Sequence, residues 1–311
     1  MGFYIKLKNT WVKLLKILKI LAIIYGINAA SSNIPCVWCK FDKSKLKNVD
    51  IDKVQREIER EWFILSEEKG ARTIDNAVRS INKFGQINTP IITSIPFHRI
   101  VVDMLHLFLR ITDVLVDLFV INLKELDGYQ QNKLNLDAQP HFNGFLVDLV
   151  EQYNIKSPFL IENKDIKVRD FQGPEKEKLF SDFDLKKYAK GNEKIKKINQ
   201  LWLDFYSMYT QIKKKELKHL DVKTKTKDWL LAFAAIYDAK HITPNIHIFV
   251  NHVHEFIDKY SDVNQFNVEG LEKLNHMTHS QVFRATNNSA DYLKQIMRKR
   301  NRMEVLCRNI S

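Results

Sequence analysis

From Ile100 to about Leu126 the chain is apolar on almost every side of a would-be helix. A helix of that kind must be buried on nearly all faces, so it forces a mainly helical domain to assemble around it. The ionisable residues that interrupt the run are Asp103, His106, Arg110, Asp113 and Asp117. Their alternating spacing of three and four positions gathers them on one stripe. Such a stripe is either the solvent side of the helix, a seam of internal ion pairs, or one wall of a polar site. Four ionised groups on it argue against a membrane span.

Other helices follow from the same periodicity. Ile51, Val54, Ile58, Trp62 and Leu65 predict one over 50–84, before a loop punctuated by Gly85, Pro90 and Pro96. Residues 127–183 read as irregular with short elements, Gly173-Pro174-Glu175 opening a helix among them. Helices are expected over 192–219 and 224–240, with Ile195, Ile198, Leu201, Trp202, Phe205 and Tyr209 as a core face. Pro244 opens a helix over His247–Tyr260, and Glu269–Leu274 and Asp291–Leu306 predict the last two. Nine Gly and seven Pro in 311 residues leave little room for glycine-rich nucleotide loops or a turn-dense β-sandwich.

The N-terminus carries two readings. Five lysines up to Lys19, then an apolar run from Ile20, then Ala29-Ala30-Ser31, have the order of a secretory signal. The β-branched residues in Ile20–Tyr25 also suit a buried strand, and with it a small sheet near the N-terminus. Three Cys exclude a disulfide scaffold. Together with the basic balance, this places the protein in the nucleus or elsewhere inside the cell, with secretion through the signal-like segment as the rival.

Lys and Arg outnumber Asp and Glu by 49 to 37, a net charge of +12. That favours a polyanionic partner, nucleic acid or an acidic membrane surface. The excess is localised in 1–50, 184–228 and 291–308. The candidate phosphate contacts are therefore Lys213, Lys214 and Lys215 in the second segment and Arg298, Lys299, Arg300 and Arg302 in the third. A merely solvated lysine-rich face is the plain alternative.

Two pairs have the chemistry of a metal site. Cys36-Val-Trp-Cys39 has the bite of a zinc knuckle, and His247 and His252 are expected to present both imidazoles from one helix face, with His254 able to replace His252. Two thiolates and two imidazoles make a closed tetrahedral zinc site. Spacing alone does not pair them, because 208 positions separate Cys39 from His247 and the chain has ten His. Glu269 and Glu272 could ligate Mg²⁺, or could simply be ordinary acids in a helix's first turn.

Taken in order, these pieces resemble a known family. The run from Ile246 through His247, His252 and Tyr260, followed by Glu269-Gly-Leu-Glu272-Lys-Leu-Asn275, is similar to the C-terminal catalytic segment of the recombination-activating (V(D)J recombinase) and Transib-type transposase family. Ile100-Val-Val-Asp103-Met-Leu-His106 resembles its motif near the active site. The resemblance implies an α+β, mainly α fold: a partial ribonuclease-H-like core with a large helical insertion. Residues 1–49 would form the strand region and knuckle, 50–240 the insertion and 241–311 the helices completing the core, as one intertwined domain. It implies structural Zn²⁺ on Cys36, Cys39, His247 and His252, and DNA as partner, with a homodimer as a further expectation and no small-molecule substrate. Glu272 would be the last of three catalytic carboxylates, and His106 would lie near the scissile phosphate. The second carboxylate should fall about nineteen residues before Cys36, where Ile17 stands, and 1–41 holds no acid at all. The expectation is an N-terminally truncated, transposon-derived DNA-binding protein without nuclease activity. One alternative is an active Mg²⁺-dependent transposase or nuclease in which Asp103 or Asp113 substitutes. Another is a secreted or membrane-associated basic helical protein.

Overall fold

In the computed structural model the chain forms two compact units, Met1–Phe266 and Asn267–Ser311. The described residues are 17–29, 31–46, 71–79, 81–128, 139–162, 165–188 and 192–266 of the first unit, and Gln295 and Arg298 of the second. The first unit is mainly helical, in line with the expected class: α1 (Ile17–Tyr25), α2 (Ile74–Arg79), α3 (Met104–Leu126), α4 (Pro140–Glu151), β1 (Phe159–Glu162), β2 (Asp165–Val168), α5 (Gly173–Asp182), α6 (Glu193–Lys213), α7 (His219–Tyr237), α8 (Pro244–Asn251) and α9 (Val253–Tyr260).

The all-round apolar segment is α3, and it lies against α4, α5, α6 and α8. Asp103 starts it, its carboxylate accepting from the Leu105 amide at 3.1 Å. Phe119 is fully buried and meets the rings of Phe145, Tyr188 and Trp202 edge-on. Phe108 stacks on Tyr209 with centroids 4.3 Å apart, and Phe180 stacks on Trp202 at the same distance. Aromatic pairs of this kind add to the burial of large rings, so the bundle is held mainly by aromatic packing between α3, α5 and α6. The two polar residues inside this face bond within their own helix: Thr112 Oγ1 donates to the Phe108 carbonyl and Asn122 Nδ2 to that of Leu118.

Four of the five ionisable residues on the α3 stripe are ion-paired, Asp103 with His106 and Asp113 with Arg110 and Lys176, while Asp117 is exposed. Lys176 of α5, only 4% exposed, donates to the Asp113 carboxylate and to the Leu109 carbonyl, and Arg110 reaches Asp113 at 3.5 Å. A buried ammonium requires an anionic partner, which explains an acid on the inward edge of the helix.

Four sequence expectations need correction. Ile20–Tyr25 is part of α1, not a strand. A short apolar run does not reveal its period, and here Leu21, Ala22 and Tyr25 pack on one side while Ile23 is 61% exposed. The apolar run from Leu21 to Tyr25 thus packs into the core, where the Tyr25 hydroxyl donates to the Ile95 carbonyl. The one sheet among the described residues is the antiparallel β1–β2 hairpin, far along the chain from the N-terminus. It is tied to the end of α3 by Lys124, which pairs with Asp165 at 2.9 Å. Residues 140–151, read as irregular, form the full helix α4. The helix expected over 50–84 lies outside the described residues up to 70; after that it survives only as α2, and residues 81–86 form turns.

Gly26 shows how α1 is fixed. It has φ +63°, and a Cβ there would stand 2.1 Å from the Asn88 carbonyl oxygen. The Ile87 and Asn88 amides both donate to the Gly26 carbonyl, so only glycine permits this approach.

Candidate metal centre

The knuckle and the two histidines meet in the first unit. Residues 36–39 follow α1 as an irregular segment held from three sides. The Arg72 Nε donates to both the Cys36 and Cys39 carbonyls at 3.0 Å, the Arg72 amide donates to the Trp38 carbonyl, and Cys39 bridges Ala71. The Trp38 indole donates to the Ile100 carbonyl at 2.8 Å, fixing the knuckle to the chain leading into α3.

The histidines come from α8 and α9. Thr243 caps α8, accepting from the Ile246 amide, and Pro244 occupies its first turn. Positions 247 and 252 would stand about 140° apart around a regular α-helix, so an unbroken helix would not aim both rings at one point. The helix breaks at His252, with φ −121° and ψ −23°, and the expected shared face is reached through that break.

The four side chains close on one point. Cys36 Sγ lies 3.4 Å from His252 Nε2, and Cys39 Sγ lies 3.2 Å from His247 Nε2. All four ligand atoms are within 4.8 Å of one another, on residues no more than 4% exposed. Ligands of a tetrahedral zinc are separated by about 3.3–3.8 Å, given its usual bond lengths. The set can therefore hold a metal ion such as zinc. With four protein ligands and no solvent face, it has the form of a structural site, not a catalytic one.

The electrostatics fit a site that exchanges protons for a metal. Burial pushes the Cys36 thiol up, but the hydrogen bond from Cys39 and the charges of His252 and His247 outweigh it and hold Cys36 well below the thiol range. Burial and the neighbouring Cys36 push Cys39 well above it. Burial alone would lower His252, yet Cys36 and Glu255 raise it to about 10. Burial keeps His247 below the ordinary imidazole range. A metal bound by this set must displace the protons of its thiols, which makes its affinity pH-dependent.

A surrounding layer orients the ligands, and sequence reasoning did not find it. Glu255 Oε2 is 2.8 Å from His252 Nδ1, where it accepts the ring N–H and leaves Nε2 facing inward, and the Asn251 side-chain Nδ2 is 3.0 Å from His247 Nδ1. Phe41 stacks on His247 at 4.0 Å, and Trp38 packs against His252 and Phe256. The one signal available was the position of Glu255, three residues after His252. We predict that Glu255→Gln weakens metal binding about 10- to 100-fold, the usual cost of losing such a partner. Competition titration with a chromogenic chelator measures it, and an unchanged affinity would show that the carboxylate does not orient the ring.

The other candidate residues lie elsewhere. His254 stays out of the cluster; burial lowers its pKa to about 4, and its Nδ1 has no hydrogen-bond partner among the described residues. His106 Nδ1 is 2.5 Å from the Asp103 carboxylate that caps α3. With Asp103 engaged there and Asp113 held by Lys176, neither is an unengaged substitute for a catalytic carboxylate. Lys213 pairs with Glu177 at 3.2 Å and Lys215 with Asp262 at 2.7 Å, which lessens both as phosphate contacts. Lys214 caps α6, exposed. Arg298 is helical and exposed, whereas Glu272, Lys299, Arg300 and Arg302 lie outside the described residues. Among the described residues no helix is long and apolar enough to cross a membrane. Comparison with known families and curated proteins gave no match to any family model or protein.

Proposed function

We propose that this chain is a DNA-binding protein of transposase descent, held together by a structural zinc ion. One observation carries the reading. Spacing left the partner of the Cys36–Cys39 knuckle open, and the four side chains that the family resemblance would bring together converge across 208 residues of sequence into a buried Cys2His2 set. A soft thiolate–imidazole set favours zinc over Mg²⁺ or Ca²⁺. The zinc would clamp the segment after α1 to the α8–α9 corner.

Binding without cutting is supported by the side chains available. The position that should bear the second catalytic carboxylate is Ile17, and Asp103 and Asp113 of α3 are engaged in a cap and an ion pair. Duplex DNA is favoured as the polyanion by the +12 charge together with the resemblance.

The test is anisotropy of a fluorescein-labelled, random-sequence duplex titrated with zinc-loaded protein at several salt concentrations. The expected result is binding whose log K falls linearly with log salt, by about 0.9 per phosphate neutralised, and no nicking when Mg²⁺ is added. Absence of binding would reject the DNA reading, and Mg²⁺-dependent nicking lost in Glu272→Ala would reject the loss of catalysis.

A further inference from the structure

Beside the knuckle, Arg72 and the 83–86 turn line a small open pocket whose enclosed space has room for about one water molecule. Lys40, Arg72, Asn76, Lys83, Phe84 and Gln86 line it, and no acidic residue does. Many lysines of the helical body are matched by carboxylates, as at Lys213, Lys215, Lys194 and Lys196. Here three cations converge without one. Among the described residues, Lys40 has only the ring of Phe84, with its Nζ 4.6 Å from the centroid, and Lys83 has no carboxylate partner.

Two further observations indicate a built site. Arg72 is 7% exposed and firmly aimed: its Nε holds the Cys36 and Cys39 carbonyls and its Nη2 holds that of Phe84. Its Nη1 has no partner among the described residues and is not sealed from solvent. A guanidinium whose other nitrogens are occupied presents its remaining donors in a fixed direction, as recognition of a phosphate oxygen requires. Gln86 is 1% exposed, and its Nε2 is committed to the Tyr25, Gly26 and Asn88 carbonyls, so the amide cannot turn over. Its Oε1 is a buried acceptor left without a partner, on a residue that lines the pocket. Buried acceptors are costly unless something donates to them.

We propose that the open mouth of this pocket takes one backbone phosphate of the bound DNA, which rests on the DNA-binding reading above and specifies one of its contacts. Lys40, Lys83 and Arg72 Nη1 receive the phosphate oxygens. A water beneath it donates one hydrogen to Gln86 Oε1 and the other to a phosphate oxygen, since only a double donor can link two acceptors. Lys40 follows Cys39 directly and Arg72 holds the knuckle carbonyls, so the metal centre fixes two of the three cations.

The same anisotropy titration tests the site, using the full chain with zinc bound. Lys40→Gln with Lys83→Gln is expected to weaken binding and to flatten the salt slope by about 1, the value for one lost phosphate contact. Zinc content and melting temperature stay unchanged, because neither side chain is in the core. Lys40→Arg with Lys83→Arg keeps the wild-type slope. Lys156→Gln with Lys186→Gln removes the same charge from exposed positions outside the pocket and leaves the slope as it was. A pocket double variant with the wild-type slope, or an equal loss in the control pair, overturns the phosphate site while leaving DNA binding intact. Wild-type protein that binds no DNA overturns both.

Discussion

Replacing Cys36 and Cys39 together by Ser should leave a chain that holds no zinc and has lost most of its resistance to unfolding. A structural zinc contributes an apparent free energy on the order of 10 kcal/mol, comparable to the roughly 5–15 kcal/mol by which a domain is stable at all. The loss falls where little else compensates. The segment around the knuckle is irregular, and removing the metal leaves four buried polar side chains facing one another. Thermal melting followed by circular dichroism, with zinc measured on the same samples, reads the effect. Chelation of the wild-type protein should reproduce it, and re-addition of zinc should reverse it. A double variant that melts like the wild type would show that the clamp carries no stability.

The second large effect lies away from the metal. Phe119→Ala should cost about 3–5 kcal/mol in urea unfolding, the range for emptying a buried aromatic site. Phe119 is fully buried, and its ring meets Phe145 at 5.3 Å, Trp202 at 5.6 Å and Tyr188 at 6.0 Å. The variant should still bind zinc under conditions where it is folded, because none of these rings touches the cluster. Ile121→Ala, on the same helix but 47% exposed, should change stability by no more than about 0.5 kcal/mol. Similar small losses at both positions would mean that α3 does not form the centre of the bundle.

These two sites also mark how much the sequence revealed. A segment apolar on all sides admits one solution, burial among helices, so α3 could be read directly. Its first turn could not. Residues 100–103 are not helical because the Ile100 carbonyl serves the Trp38 indole and Asp103 serves as a cap, and both are tertiary contacts. Ile20–Tyr25 misled because a β-branched apolar run carries no period; the packing of Leu21 and Tyr25 decided for helix. The four metal ligands could be named, but the link across 208 residues depended on a resemblance, since spacing does not encode a contact that distant. The one-face expectation for His247 and His252 was met only through a break in the helix that no proline or glycine announces. Arg72, Asn251, Glu255 and Phe41 stayed invisible because residues around a metal centre are defined by what they orient, and that requires the centre to be in place first.

The account stands most directly on the metal content of the purified wild-type chain, determined by native mass spectrometry after extensive dialysis. One zinc ion per folded chain is the predicted result, with the thiol protons displaced as the metal binds. A chain that is fully folded, melts cooperatively and carries no metal would contradict it.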